Sequence, residues 1–349
     1  MASFRMLMIH PVFTGWGFSG NVGGKHRSST ECTRAALEVG LEVGVLPLDG
    51  SGKHEATEKL MGRKRVVSAV YGNQPLTVLP TGHLSGLLKH NRKLIKRYVK
   101  RETRRAYGTR CIYNQLLAIT KAIRSWKPRV VHFQQTTSKA AERAKARFPE
   151  LPLVVTHRAS RKVKGIEIFD HVVFASRHCM ALYTEAELPT AKRVYIPNFI
   201  EDTFFAPQRH TAPDRIAFAG ILKPSDRKGL RLLLEALVAL RERGRALHLD
   251  VCGTGDRLDD HKAFAAEHRL DVTFRGFVDD VTQRRVFQDA AVFVLPSREE
   301  SFGLSYLEAA GCGCRIIGYP PSVAEFDAAI GNLGSPFDAV NQGPAELGE

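Results

Sequence analysis

Short apolar runs alternate with longer stretches of helical periodicity along most of the chain. Runs of about four to eight apolar residues bounded by turn residues read as strands buried on both faces, and the periodic stretches between them as the helices covering those faces. In the first half, strands are expected at Arg5 to Val12, Glu42 to Leu48, Val66 to Tyr71, Leu76 to Leu79, Arg129 to Phe133, Leu151 to Thr156, Val172 to Ala175 and Arg193 to Ile196. Helices are expected from near Ser28, at Arg110 to Trp126, Ser138 to Phe148 and Arg177 to Glu187. The second half is more regular. Strands at Ile216 to Ala219, Leu247 to Cys252, Val272 to Phe274, Ala291 to Leu295 and Arg315 to Gly318 alternate with helices at Gly229 to Arg243, Arg257 to His268, Val281 to Ala290 and Phe302 to Gly311. Such alternation specifies an α/β fold with a doubly wound parallel sheet, and right-handed crossovers gather the strand carboxyl ends on one rim.

The chain has 349 residues, too many for one ordinary core. Two Rossmann-like domains are expected, 1–206 and 207–349, with the proline-containing segment Phe205 to Pro213 as linker. The six cysteines lack metal or disulfide spacing, and Cys312-Gly-Cys314 reads as packing at a helix-to-strand corner. No apolar run approaches the roughly 18 residues of a membrane span, and MASFRMLMIHPVF lacks a signal-peptide cleavage pattern, so the expected location is cytoplasmic.

Charge changes the picture more than composition does. Residues 1–206 carry 34 Lys and Arg against 15 Asp and Glu, a net of +19, whereas residues 207–349 carry 17 against 21, a net of −4. The positive excess concentrates in Leu84 to Arg105, where Leu87, Leu88, Leu94, Ile95, Tyr98 and Val99 form an apolar stripe among nine Lys and Arg. This reads as a cationic amphipathic helix. Either its stripe packs on the sheet, or it lies against an anionic membrane or a phosphate-bearing acceptor. It lacks aromatic interleaving and any nucleic-acid motif, so no nucleic-acid partner is expected.

Candidate chemistry centres on Val292 to Tyr319, VFVLPSREESFGLSYLEAAGCGCRIIGY. Glu300 precedes the expected helix and Glu308 follows eight residues on, about two turns away and on roughly the same face. The amides of Phe302, Gly303 and Leu304 then form a helix end suited to an anion. Carboxylates for hydroxyls beside a helix end for phosphate suit a nucleotide-sugar. A glycine-rich loop, Thr14 to Lys25, follows the first strand and is a plausible phosphate or substrate cradle, though it fits no dinucleotide or P-loop pattern. His157 and His132 sit at or near strand carboxyl ends; a site role is expected for His157 and a structural one for His132. No Asp-x-Asp and no metal-ligand spacing occurs.

The Leu-Pro-Ser, the Glu-x7-Glu pair, the Ser-Phe-Gly after Glu300 and the Glu-Ala-Ala-Gly run at Glu308 resemble the retaining glycosyltransferases of family 4. The resemblance covers nearly all of residues 4–326 and is strongest over 216–320. It implies a GT-B fold, two Rossmann-like domains facing across a cleft, with the basic N-terminal domain on the acceptor side. It also implies Glu300 on the transferred sugar, Glu308 on the ribose, Lys228 on the diphosphate and His157 on the donor sugar. Gly23 and Gly24 match the pair beside the donor phosphates, and Gly253 and Val278 the base-binding rim. The loop GILKPSDRKG has Ile221 where the family has arginine, so Lys223 or Arg227 is expected to supply the missing cation. Pro197 to Glu201 resembles the family's interdomain hinge, with Phe199 and Glu201 departing from it. Glu325 resembles a further acidic position without its glycines, and the 24 residues after it show no long amphipathic helix.

The implied activity is metal-independent, retaining transfer from a nucleotide-sugar, a UDP-sugar being the expected donor and no separate cofactor being required. The acceptor is a glycan, lipid-linked or other hydroxyl, with peripheral contact at the inner membrane face through Leu84 to Arg105. Two alternatives stand beside it: a GT-B epimerase or phosphorylase, and a degenerate nucleotide-sugar-binding protein.

Overall fold

The computed structural model describes residues 4–10, 32–47, 67–71, 74–78, 116–134, 138–200, 202–205, 212–331 and 334–347. Glycines 23 and 24 and the basic stretch 84–105 lie outside these residues. The chain divides into two units, with the changeover between Pro197 and Asn198, and Ser176–His178 belonging to the second.

Among the described residues, the first unit is built on an eight-stranded sheet ordered β3-β4-β2-β1-β5-β6-β7-β8. Its strands are β1 (Arg5–His10), β2 (Glu42–Pro47), β3 (Val67–Tyr71), β4 (Gln74–Val78), β5 (Val130–Phe133), β6 (Leu153–His157), β7 (His171–Phe174) and β8 (Arg193–Tyr195). All neighbours pair in parallel except β3 with β4. Alternate side chains of β1 supply opposite faces. Leu7 and Ile9 join a core with Val131, Phe133, Val155 and Phe174, while Met8 joins Ala36 and Leu37 of the helical stretch 32–38. Both sheet faces are therefore buried under helices, which is why the strands read as continuous apolar runs.

The second unit is a six-stranded parallel sheet ordered β11-β10-β9-β12-β13-β14. The strands are β9 (Ala212–Ala219), β10 (His248–Cys252), β11 (Val272–Gly276), β12 (Ala290–Leu295), β13 (Arg315–Gly318) and β14 (Gly334–Pro336). In chain order this is 3-2-1-4-5-6, and the order reverses between β9 and β12, where Ile216 pairs with Val292 and Ala217 with Phe293. Open sheets bind ligands outside the strand carboxyl ends at such a switch point. The helix Leu230–Glu242 turns Leu230, Leu233, Leu234, Leu237 and Leu240 inward. Each such Leu contributes about 1.5–3 kcal/mol on leaving water.

Several element bounds differ from expectation. β9 begins at Ala212, inside the expected linker, and Pro213 sits near its start, within the register shift against β12. The helix expected over Arg177 to Glu187 is only Arg177–Met180 before the chain turns. Beyond β13 a helix, Pro320–Ile330, opens on two prolines, which suit a helix start because its first amides have no intrahelical partner.

Candidate active site

The loops leaving β9 and β12 meet at the switch point. Gly229 has φ 74°, and a Cβ there would lie 2.2 Å from the Pro296 carbonyl oxygen, so only glycine lets the two loops approach this closely. Arg298 N donates to the Arg227 carbonyl across the same junction at 3.0 Å. This brings the Lys228 ammonium onto Glu300 Oε1, and Ser297 Oγ donates to the same oxygen at 2.8 Å. Glu300 and Ser297 are buried and Lys228 is largely so. In such surroundings the pair interacts more strongly than at a surface, and each charge depends on the other to offset its desolvation.

The Glu300 backbone is held as well. His178 Nε2 donates to its carbonyl at 3.0 Å, which fixes the proton on that nitrogen because a carbonyl only accepts. Ser176 Oγ donates to the Ser301 carbonyl at 2.6 Å, and Glu325 accepts the Arg177 amide at 2.8 Å.

Glu308 lies on the helix Leu304–Gly311 and is also buried; Gln283 Nε2 donates to its Oε2 at 2.7 Å. That helix starts two residues later than expected. Gly303 is its N-cap, at φ 91° with Tyr306 ring carbon Cδ2 2.3 Å from where a Cβ would stand, so a left-handed glycine sets the entry angle. The Tyr306 amide bonds back to the Gly303 carbonyl. Phe302 is therefore outside the helix, its ring buried edge-on against Phe326 at 5.2 Å. The expected helix end at Phe302 to Leu304 is corrected to Gly303, Leu304 and Ser305.

The remaining candidates divide. Lys223 and Arg227 are exposed on the β9 loop, Arg227 lying 3.9 Å from Glu299, and Ile221 is 41% exposed beside them. The Gly253 amide already donates to the Gly276 carbonyl at 2.7 Å and so is not free to bind a ligand. Val278 is half-buried next to exposed Phe277. His157 lies on β6 of the first unit. It is 1% exposed in the core of the first unit, stacked near Phe174 and edge-on to Tyr183. The Tyr183 hydroxyl accepts the Val163 amide at 2.7 Å, leaving its proton for His157 Nε2 at 3.0 Å.

Cys312 and Cys314 are buried, and burial raises their thiols to about 11 and about 12; Cys314 Sγ donates to the Phe287 carbonyl. They are inert packing groups. Among the described residues, no three His, Cys, Asp or Glu side chains gather as metal ligands, and no helix is long and apolar enough to cross a membrane. Sequence reasoning missed Gln283 and His178, whose isolated positions carry no motif; Ser297 was visible only as part of Leu-Pro-Ser.

Residues 213–330 match the family model described as glycosyl transferases group 1. A glycogen synthase of Mycobacterium tuberculosis is 29% identical over 219 residues, covering 56% of this chain and 52% of the relative. A GDP-mannose-dependent alpha-(1-6)-phosphatidylinositol monomannoside mannosyltransferase of Mycolicibacterium smegmatis is 27% identical over 206 residues, 51% of this chain and 53% of the relative. The chain thus spans about half the length of these curated relatives. Among solved structures, a glycosyltransferase from Rickettsia africae superposes with TM-score 0.68 at 14% identity, covering 100% of this chain and 87% of that one. An Anabaena protein in complex with UDP and glucose gives 0.63 at 14% identity, covering 99% and 88%. The fold is that of the GT-B glycosyltransferases.

Proposed function

From the match of residues 213–330 to the glycosyl transferases group 1 model, we propose that this protein transfers a sugar from a nucleotide-sugar to a hydroxyl acceptor with retention at the anomeric carbon. The observation that carries this reading is the convergence of Lys228, Glu300 and Ser297 at the β9/β12 switch point. Glu300 accepts hydrogen bonds from the sugar hydroxyls, and Glu308, oriented by Gln283, accepts them from the ribose. Lys228 and the amides of Leu304 and Ser305 neutralise the diphosphate as it leaves, with exposed Lys223 and Arg227 in place of the arginine that Ile221 replaces. The bond from the anomeric carbon to the diphosphate oxygen breaks, a bond to the acceptor oxygen forms on the same face, and the departing phosphate takes the acceptor proton. Positioning and charge stabilisation supply most of the acceleration, so the chain's own cations do the work of a divalent ion.

A UDP-sugar is the proposed donor, and the acceptor a glycan or lipid-linked hydroxyl. The basic first half favours an acceptor or surface bearing negative charge.

The test combines a thermal-shift screen of UDP-, GDP- and ADP-sugars with donor turnover in a chelator. Lys228→Ala is expected to lower turnover by about two orders of magnitude or more. Glu308→Ala should chiefly weaken nucleotide binding. Unchanged kinetics in both variants would defeat the reading. Free epimer or sugar phosphate appearing without acceptor would assign the site to an epimerase or a phosphorylase.

A further inference from the structure

The turn carrying Lys228 is organised by a residue in an unusual backbone state. Asp226 has φ 42°, a left-handed conformation uncommon outside glycine and tolerated by aspartate when its carboxylate bonds locally. Its amide donates to the Lys223 carbonyl at 3.0 Å and its carbonyl accepts the Gly229 amide at 2.9 Å, so both ends of the turn hang on it. One carboxylate oxygen accepts the Arg231 amide at 3.3 Å, at the start of the helix Leu230–Glu242. The other lies 3.9 Å from Nε2 of His261, on the next helix, Leu258–Glu267.

His261 is anomalous. Its side chain is 1% exposed, yet among the described residues neither ring nitrogen has a hydrogen-bond partner. Buried imidazoles usually satisfy their N–H, and the nearest means of doing so here is a short approach to Asp226. Burial lowers the His261 pKa and raises that of Asp226, while each partially restores the other's charge. Arg257 at the N-cap of its own helix, Asp260 within that helix, and Arg231 on the neighbouring one also act on His261. A proton gained by His261 strengthens its attraction to the Asp226 carboxylate, the residue from which both ends of the turn hang.

We propose that His261 is a positioning residue for the Lys228 loop, acting through the Asp226 carboxylate and making the loop's placement responsive to pH. What Lys228 grips rests on the glycosyltransferase reading above; the coupling itself does not.

The coupling is read by NMR in ligand-free full-length protein between about pH 4 and 8, which reaches below the ordinary histidine range because burial lowers the His261 pKa. The His261 ring signal is identified by its absence in His261→Gln. The Lys228 and Gly229 amides should follow the His261 titration curve in the wild type and lose that component in His261→Gln. In Asp226→Asn the ring should titrate lower still, because the opposing carboxylate has gone. Asp226→Gly, which accepts the left-handed backbone, serves if the asparagine variant does not fold. Lys228 and Gly229 amides indifferent to the His261 titration, or a ring titration unmoved by loss of the Asp226 carboxylate, overturn the proposal.

The consequence for binding is read by calorimetry with UDP and GDP over the same range. The ratio of wild-type to His261→Gln dissociation constants should shift by about threefold or more, the scale expected of two coupled neighbours. Parallel pH profiles overturn the effect on Lys228. No binding of either nucleotide to the wild type counts against the donor site, and the amide titration then decides the coupling alone.

Discussion

Buried and partly buried polar side chains on this scaffold differ in what they demand from their neighbours, and pH exposes the difference. His132, on β5, shares Nε2 with Thr156 Oγ1 at 2.8 Å and Nδ1 with the Gln134 amide at 3.3 Å. Removal from water, and secondarily the Arg158 guanidinium, hold its pKa down at about 4, so it is neutral in the folded protein at pH 7. Its folded pKa lies below the unfolded one of about 6.5, so the unfolded chain binds the extra proton first. The stability is fully present above about pH 6.5 and is lost as pH falls toward 4, by up to about 3 kcal/mol. Urea midpoints across this window should show it, with His132→Asn flatter by about one proton; an equal slope in both proteins would remove His132 from the account. The same distinction governs what could be read from sequence. Glu300, Glu308 and Lys228 were legible because their motif fixes where a strand end, a turn and a helix place them. The surroundings of His157 were not, because only the tertiary fold brings Tyr183 and Phe174 alongside it. His261 and Gln283 were invisible for the same reason.

Single side chains also decide whether neighbouring elements hold together. Tyr306 is fully buried on the helix Leu304–Gly311, with its ring edge-on to Phe293 at 5.9 Å. Its hydroxyl donates to the Leu295 carbonyl at the end of β12, at 2.6 Å, and accepts the Tyr319 amide just beyond β13, at 3.0 Å. One oxygen therefore ties two strand ends and the following helix start, behind the loop that carries Glu300. Tyr306→Phe keeps the ring and takes the hydroxyl away from the partly buried Tyr319 amide, while the Leu295 carbonyl keeps the Ser297 amide at 2.7 Å, an expected cost of about 1–3 kcal/mol. The urea midpoint should fall while the slope stays constant, because the surface exposed on unfolding is unchanged. A variant as stable as the wild type would mean the Tyr319 amide finds another partner. At this scale β10, β12 and β13 were readable from apolar runs to within a residue, whereas β9 begins four residues earlier, β11 runs two residues further and β14 carries too short a run to be read. Helix ends were not. The start at Leu304 depends on the left-handed Gly303, and Pro320–Ile330 was overlooked because adjacent prolines look like a loop until they are recognised as a helix start.

Across the whole molecule, the two units repeat one plan with opposite electrostatic character. Both sheets reverse strand order beside their first strand, between β1 and β5 in one and between β9 and β12 in the other. The second unit places a lysine and two carboxylates at or behind its reversal, and the first carries the positive excess, a net of +19 over residues 1–206. That division suits a protein whose first half meets an anionic acceptor or surface, because summed charge steers partners over about a Debye length and is screened by salt. The argument can be tested without knowing the acceptor. Co-sedimentation with phosphatidylserine-containing vesicles should exceed that with phosphatidylcholine alone, and should disappear as salt rises from about 0.1 to 0.5 M. Replacing Lys96, Arg97, Lys100 and Arg101 together by glutamine should weaken partitioning by at least about tenfold. If nucleotide affinity is unchanged in that variant while vesicle binding falls, surface attachment and donor binding belong to separate parts of the chain. If the wild type shows no preference for anionic vesicles at low salt, the charge of the first half serves a soluble acceptor instead, and the membrane proposal is withdrawn.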